Sequence, residues 1–487
     1  MLKRIALLAL ALLGVLVTVL LVRAWPRGPD AQRVAPAHDI ALDTQAVAAR
    51  LAEAIRIPTI SDERPIAQRA QPFLEFRSFL ERAYPAVHAA LPREIISDYT
   101  LLYTWRGSDP ALAPILLMGH MDVVPVAPGS DTTWTHEPFS GAVVDGQVWG
   151  RGALDDKQHV ITILDAAEWL LARQFQPRRT IYLLFGHDEE VSGTSGALQA
   201  AQLLEQRNVR LQFVLDEGGI IGEGLLPGLQ PPLALVKIAG KGYLTLELSV
   251  PGAGGHSSAP PRPTPVGILA RAIVQLENRP FPARLEGASR ALLETVAGQQ
   301  PLPSRLVVRN LWLFAPLVKQ RMARAPGTDA TLRTTIAPTM LQASPKDNVL
   351  PTLARAVVNF RLLPGESSQD VIDHVRAAID DPRVQIRSLV TSEAPPASDP
   401  GAEEFRLLSL TIRQVAPDVM VAPFLLTAAT DSRHFSALTD HVFGFSTSRG
   451  GNELLTRAHG TNERIRTSDL VTGVRFYVQL MRNAAGS

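Results

Sequence analysis

The sequence predicts an α/β fold: a mostly parallel sheet with helices on both faces, interrupted by an inserted α+β lid domain of the dimerisation type. Three observations lead to this prediction. Strand and helix patterns alternate between residues 100 and 215, the pattern changes character near residue 238, and alternation resumes after residue 401. The middle unit is therefore interpreted as an insertion into a single larger domain.

The first part of the larger domain shows helical and strand periodicities in turn. Apolar residues at helical spacing predict a helix over 44–56, which Pro58 ends, and a second helix over 71–91. Short apolar runs predict strands. The remaining predictions are strands over 100–105, 114–118, 179–185 and 211–215, and helices over 159–173 and 193–206.

The middle unit begins with an alternating strand over 242–250 and a helix over 264–276. Residues 280–345 are rich in proline and are predicted to be irregular, and strand, helix and strand patterns follow over 354–363, 368–380 and 384–390. The predicted boundaries are an N-terminal anchor or signal over 1–23, a linker over 24–43, catalytic-domain parts over 44–237 and 393–487, and the lid over 238–392.

Composition excludes several kinds of protein. The chain has 487 residues, 46% hydrophobic and 20% charged, with a net charge of +1. Without a basic excess it lacks the signature of a nucleic-acid binder. It contains no cysteine, which excludes disulfides, thiolate ligands and a cysteine nucleophile. A metal would therefore be held by His, Asp and Glu.

The N-terminus carries an apolar run from Ile5 to Val22, flanked by basic residues at both ends. Eighteen residues just span a bilayer, and the run lacks the small-residue cleavage site of a secretory signal. We therefore favour an uncleaved anchor, with the catalytic domain outside the cytoplasm (periplasmic or extracellular). Cleavage and secretion is the alternative.

Polar clusters follow the predicted strands, where parallel α/β sheets place their chemistry. His120 and Asp122 follow one strand and, two residues apart, point the same way. Asp155 and Asp156 follow a glycine-flanked Arg151 and open a helix. A buried, satisfied histidine and a helix N-cap would explain these two motifs without any metal.

Three further clusters strengthen the pattern. Residues 188–190 form an acidic run after a strand, Asp216 ends the next strand, and His459 lies near the C-terminus. A solvated acidic loop is the alternative for the run, but a divalent ion would offset the repulsion between its carboxylates. A ligand set of oxygen and nitrogen alone suits zinc, cobalt or manganese.

Together the motifs GHMDVVP, GRGALDDK, GHDEEVSG, VLDEGG, GGHSSAP and AHGTNE, in this order, resemble the dinuclear zinc exopeptidase and aminoacylase family. The wording WTHEPFSG is most similar to carboxypeptidase S and the N-fatty-acyl-amino-acid hydrolases. The resemblance runs from about residue 45 to the C-terminus. It implies two divalent metal ions per chain, zinc foremost, and hydrolysis of an amide bond beside a free carboxylate.

The resemblance also implies a role for each matching residue. Asp155 would bridge the two metals, its peptide bond to Asp156 would be cis, and Glu189 would be the general base. The remaining assignments are His120 and Asp216 on one metal, Glu190 and His459 on the other, and Asp122 as the residue that orients His120.

The lid would contribute to the substrate site. His256 matches a lid histidine that reaches the partner subunit in many members of the family, so a homodimer through the lid is one arrangement left open. Asn348 and Arg361 match substrate-binding positions, and outside the lid Gly451 is expected to let a backbone N–H group approach the substrate carboxylate. The apolar segment Leu311–Leu317 either covers an acyl chain or, the favoured alternative, belongs to the core.

The expected substrate is a small N-acyl amino acid or a short peptide. A carboxypeptidase or dipeptidase is the nearest alternative. A mononuclear hydrolase and a non-catalytic binding protein on the same fold are less favoured, since a binding protein has no need of a base such as Glu189.

Overall fold

A computed structural model describes residues 2–25, 34–37, 40–62, 64 and 68–486. Residues 26–33 and 38–39 of the predicted linker lie outside this description. Within it the helices are α1 (Leu2–Ala24), α2 (Thr44–Ile55), α3 (Ala70–Ala83), α4 (Pro85–Ala90), α5 (Lys157–Leu171), α6 (Ala197–Gln206), α7 (Pro265–Glu277), α8 (Gly287–Val296), α9 (Leu302–Arg309), α10 (Leu311–Met322), α11 (Pro326–Asp329), α12 (Ser368–Ile379), α13 (Glu403–Val415), α14 (Asn452–Arg457) and α15 (Thr467–Ala485).

The strands fall into four sheets. They are β1 (Arg93–Ile96), β2 (Thr100–Trp105), β3 (Ile115–His120), β4 (Ala142–Val144), β5 (Gln147–Trp149), β6 (Ile181–Gly186), β7 (Phe213–Asp216), β8 (Ile220–Gly222), β9 (Leu233–Gly240), β10 (Gly242–Pro251), β11 (Gly255–His256), β12 (Thr335–Gln342), β13 (Val349–Leu350), β14 (Leu353–Leu362), β15 (Gln385–Ser392), β16 (Met420–Leu426), β17 (Val442–Gly444), β18 (Arg449–Gly450) and β19 (Arg464–Arg466).

The central sheet has ten strands in the order β1-β2-β6-β3-β7-β17-β9-β8-β18, with β16 also paired to β9. Strands β6, β3, β7 and β17 run parallel to one another, and antiparallel pairs lie on either side of them. The mostly parallel sheet predicted from the sequence is confirmed.

Both faces of this sheet are covered by helices. Successive side chains of a strand point to opposite faces. Accordingly Ile115 and Leu117 of β3 pack with α2, α5 and α15, whereas Leu116 and Met118 pack with α6 on the other face. The strands are therefore apolar without alternation, as a sheet buried on both faces requires.

A separate antiparallel sheet with the order β12-β14-β10-β15 forms the middle unit. Helices α7 and α12 cover one of its faces and bury a core of their own, which includes Leu246, Val358 and Val375. A Ser367 capping box begins α12, and Thr264 caps α7. This unit agrees with the predicted α+β lid.

The prediction of irregular structure over residues 280–345 is wrong. The segment holds four helices, α8–α11, and strand β12. Proline misled the prediction, since Pro303 and Pro326 lie in the first turns of α9 and α11, where a missing N–H costs nothing. Pro316 lies inside α10, which continues past it.

Helix α1 is long and apolar enough to cross a membrane, and it is the one such helix among the described residues. It has 23 residues, a mean hydropathy of 3.1 over its most apolar stretch, and side chains that are almost all exposed. Such a helix at an N-terminus is either an anchor or a signal sequence.

Candidate metal centre

The candidate site lies where three parallel strands end side by side. Strand β3 ends at His120, β6 is followed by the acidic run 188–190, and β7 ends at Asp216. Because β6, β3 and β7 are neighbours, their carboxyl ends meet at one edge of the sheet. Residue 155, just before α5, and residue 459, after α14, complete the group.

Asp155 lies between two histidines. Its Oδ1 is 3.0 Å from His120 Nε2, and its Oδ2 is 3.1 Å from His459 Nε2. The peptide bond between Asp155 and Asp156 is cis, as predicted. The two oxygens of one carboxylate thus lie beside two different imidazoles. A ligand shared by two ions requires this arrangement.

Glu190 joins the His459 side of this group. Its Oε2 is 3.1 Å from His459 Nε2. Its other oxygen is buried and has no hydrogen-bond partner among the described residues. A buried carboxylate oxygen without a partner, on a residue that also contacts His459, is suited to a cation, because burying it unpaired costs free energy.

The structure places Glu217, and not Asp216, beside His120. Glu217 Oε1 is 3.8 Å from His120 Nε2, and donor atoms of His120, Glu189 and Glu217 lie within 4.8 Å of one another. Asp216 turns away: its Oδ2 accepts hydrogen bonds from Thr430 Oγ1 at 2.7 Å and from the Ser432 backbone N–H at 3.0 Å.

The charge environment of Asp216 agrees with this placement. Lys237 Nζ lies 3.8 Å from Asp216 Oδ2. Although burial raises the pKa of Asp216, Lys237 and the Thr430 hydroxyl lower it on balance. Asp216 is therefore a charge already satisfied by protein groups, which leaves it little need of a metal ion.

Asp122 organises the acidic run as well as the histidine. Its Oδ1 is 3.3 Å from His120 Nδ1, and its two oxygens accept the backbone N–H groups of Glu189 and Glu190, both at 3.2 Å. Asp188 instead accepts hydrogen bonds from the loop that precedes α6. Of the three consecutive acids, two therefore enter the site.

The carboxylates and histidines of the site shift one another's pKa values. Burial raises the pKa of Glu189 well above its ordinary value, and nearby carboxylates, including Asp431 and Glu190, raise it further. Burial and Asp155 act in the same way on the pKa of Glu217. Hydrogen bonds to Asp155 and Glu190 raise the pKa of His459 to about 10. These residues fit divalent cations, which would offset the mutual repulsion of the acids.

One buried residue that supports the site was missed in the sequence. The Glu463 Oε1 accepts backbone N–H groups of Gly152, Leu154 and Asp155 at 3.1, 2.7 and 3.1 Å. Its Oε2 accepts from Arg151 Nη1 at 2.6 Å, and Arg151 also donates to the His459 carbonyl. The glycine-flanked Arg151 was the available signal, because a buried arginine needs an acid partner.

Four residues predicted to take part in catalysis or substrate binding make no hydrogen bond or ion pair with the acids and histidines of this cluster in the part of the chain that the structure describes: His256, Asn348, Arg361 and Gly451. His256 is exposed, with its Nδ1 2.8 Å from Ser258 Oγ, and Asn348 contributes a backbone carbonyl to Ser257. Arg361 stacks on the Tyr243 ring at 4.5 Å. The backbone N–H of Gly451 donates a hydrogen bond to the Glu453 carboxylate at 3.1 Å. Their predicted roles stay predictions.

Comparison with known proteins gives the family. Residues 116–483 match the model of peptidase family M20/M25/M40. The chain is 40% identical over 482 residues to probable carboxypeptidase S-like 2 of Dictyostelium discoideum, covering 97% of this chain and 92% of that protein. It is 39% identical over 469 residues to human N-fatty-acyl-amino acid synthase/hydrolase PM20D1, a match that covers 94% of this chain and 92% of that protein. Carboxypeptidase S of Saccharomyces cerevisiae is 29% identical, with 92% and 85% covered.

Solved structures share the fold. Human carnosine dipeptidase 1 superimposes with a TM-score of 0.63 at 14% identity, covering 90% of this chain and 96% of that one. The M20 family metallo-carboxypeptidase Sso-CP2 of Sulfolobus solfataricus superimposes with a TM-score of 0.64 at 17% identity. The match covers 90% of this chain and 98% of that one. The predicted resemblance to this group of enzymes is confirmed, and the chain belongs to peptidase family M20/M25/M40, whose members are metallohydrolases.

Proposed function

We propose that this enzyme hydrolyses the amide bond of N-acyl amino acids and that it does so with two divalent ions, zinc foremost. The observation that carries the proposal is the position of Asp155, whose two oxygens face two different histidines at 3.0 and 3.1 Å. The relatives near 40% identity, which include N-fatty-acyl-amino acid hydrolases, support this substrate class.

The ligand set that we propose differs in one residue from the one expected from sequence. His120, Glu217 and Asp155 would hold one ion, and His459, Glu190 and Asp155 the other. Glu217 replaces Asp216, because Asp216 is engaged by Thr430, Ser432 and Lys237. Divalent ions in such a site supply positive charge that acidifies water and stabilises negative charge on oxygen.

Glu189 is the proposed general base. It lies beside His120 and Glu217, and its backbone N–H is fixed by Asp122. A carboxylate held there takes a proton from the attacking water and delivers it to the nitrogen of the leaving amine. Burial raises the pKa of Glu189, which strengthens the carboxylate as an acceptor of the proton from water.

The carboxylate of the substrate would be bound by Arg361 of the lid. The guanidinium fork matches both oxygens of a carboxylate, and stacking on Tyr243 holds its plane. His256 would donate to the developing oxyanion. Since His256 is exposed and apart from the cluster, closure of the lid or a partner subunit would have to bring it there.

The test is metal-restored cleavage by the full chain in detergent. After chelation, zinc, cobalt or manganese is added back, and turnover is measured on N-acyl amino acids of increasing acyl length and on unmodified dipeptides. We expect cleavage that depends on metal and is faster on the acyl amino acids. Much faster turnover of dipeptides would make the enzyme a carboxypeptidase or dipeptidase, and two equivalents of bound metal per chain would exclude a mononuclear site.

A further inference from the structure

The C-terminal end of helix α1 packs against the folded part of the chain. Most of its side chains are exposed, but Leu20 and Ala24 are 9% and 0% exposed, because the last turns of α1 pack against α9. Asn310, between α9 and α10, is fully buried, and its Nδ2 donates to the Leu20 carbonyl at 3.1 Å. Arg23 Nε donates to the Arg309 carbonyl at 3.4 Å. The end of the apolar helix is thus built into the folded chain.

Helix α10 presents apolar side chains outward at this junction. Leu311 packs inward with Leu285 and Leu332, but Trp312, Leu313 and Leu317 are 57%, 41% and 55% exposed. The expectation that this segment is core therefore holds for its first residue alone. Neighbouring exposed apolar residues of this size mark a contact surface.

The position along α1 of its contact with Asn310 indicates that the exposed apolar side chains of α10 face a membrane. An α-helix rises 1.5 Å per residue, so Leu20 lies roughly 6 Å from the end of α1 at Ala24. If the apolar run spans a bilayer, the contact with Asn310 falls near the level at which the chain leaves the hydrocarbon. Trp25, 75% exposed, lies at the same end. Tryptophan is enriched at this level of membranes.

Charge points to the same partner. The sequence of α9 and α10 contains four basic residues and no acidic one: Arg305, Arg309, Lys319 and Arg321. Apolar side chains combined with basic residues are typical of helices that lie in the interface of a bilayer with anionic lipids. A protein partner has no comparable support in the structure.

We propose that α9 and α10 form a second membrane contact, with Trp312, Leu313 and Leu317 inserted among lipid headgroups beside the point where α1 leaves the bilayer. The proposal rests on α1 remaining attached to the mature protein. Its consequence is that the catalytic body is held against the membrane in one orientation.

Site-directed spin labelling tests the proposal, because the chain has no cysteine of its own. Single variants Leu313→Cys and Leu317→Cys of the full chain are labelled in vesicles of phosphatidylcholine and phosphatidylglycerol. Accessibility to oxygen and to a water-soluble nickel complex is then measured. Ile95→Cys is the control. Ile95 is a similarly exposed apolar residue on the edge strand β1, which lies far from β9 and β16 in the order of the central sheet. Leu12→Cys reports on α1 itself.

We expect a severalfold higher ratio of oxygen to nickel accessibility at 313 and 317 than at 95. Values equal to those at 95, with the label at 12 in lipid, would overturn the proposal and leave the anchor intact. A label at 12 in water would overturn both. Spin–spin broadening at 313 that disappears on dilution with unlabelled chain would assign the face to a second copy. In a Trp25→Phe background, quenching of tryptophan fluorescence by brominated lipid that is lost on adding Trp312→Phe gives the same test without a label.

Discussion

The Glu463 carboxylate accepts the backbone N–H of Asp155 at 3.1 Å, so a fully buried acid fixes the residue that lies between the two site histidines. The same oxygen gathers two further backbone N–H groups of the loop before α5. The geometry of the metal centre therefore depends on a residue that touches no metal ligand side chain.

Glu463→Gln should weaken metal binding. The amide keeps one acceptor oxygen but loses the charge that pairs with Arg151 at 2.6 Å. Removal of such a supporting group typically costs about 10- to 100-fold in metal affinity or activity. Metal titration of the chelated protein measures the effect, with Glu205→Gln on the exposed face of α6 as the control. Equal affinity in both variants would contradict the prediction.

Glu189→Gln should retain metal and lose turnover. The amide is nearly isosteric but cannot accept a proton, and general-base catalysis contributes about 10²- to 10⁴-fold. Metal content per chain and kcat are measured on the same preparation. Normal kcat with full metal content would remove Glu189 from the mechanism.

Glu217→Gln and Asp216→Asn should fail in different ways. Loss of Glu217 should reduce bound metal toward one ion per chain, because Glu217 lies beside His120. Loss of the Asp216 charge should leave metal content unchanged and lower stability by about 1–3 kcal/mol, since Lys237 loses its charge partner and the amide offers Thr430 and Ser432 a weaker acceptor. Metal analysis and thermal unfolding separate the two, and the opposite pattern would restore Asp216 as the ligand.

Arg361→Lys should raise KM for substrates with a free carboxylate while kcat changes less. Lysine provides a point charge in place of the guanidinium fork that stacks on Tyr243. Arg355→Lys is the matched control, because Arg355 lies on the same strand and pairs with Gln342 and Glu247 away from the site. A similar KM in both variants would exclude Arg361 as the carboxylate ligand.

Asp165 should make stability depend on pH. Burial raises its pKa from 3.8 to about 6, against the opposing effect of Arg50 at 2.6 Å. The folded protein then holds this proton more tightly than the unfolded chain does. The contribution is therefore favourable below pH 4 and is lost as pH rises through 6.

Asp165→Asn lacks this titration, so its stability relative to the parent should increase between pH 4 and pH 7 by at most about 3 kcal/mol. Thermal unfolding of both chains at matched pH measures the difference, and effects of metal loss at low pH cancel in the comparison. A difference that stays constant with pH would contradict the prediction.

The sequence predicted the architecture well because periodicity and strand-end motifs are local signals. The choice between Asp216 and Glu217 was not local. Adjacent residues at a strand end point in opposite directions, so an uncertainty of one residue in where β7 ends exchanges the two carboxylates. We propose Glu217 as the ligand because Thr430, Ser432 and Lys237 engage Asp216. These three residues lie more than 20 residues away from Asp216 along the chain.

Two further differences between sequence and structure have the same origin. Pairing of Glu463 with Arg151 joins residues 312 positions apart, and no periodicity reports such a contact. In residues 280–345 proline was interpreted as a helix breaker, although the same residue favours the first turn of a helix. The outcome depended on where each helix begins, and only the first of them, α8, packs against β9 and β16 in their shared apolar cluster.

The order of the central sheet has a consequence for synthesis. Strand β17, near the C-terminus, lies between β7 and β9, and His459 follows it by 15 residues. A nascent chain that has already formed β3, β6 and β7 therefore still exposes an unpaired central edge, which invites association with other chains. If His459 is a metal ligand, as proposed above, the site is completed only after almost the whole polypeptide has been made.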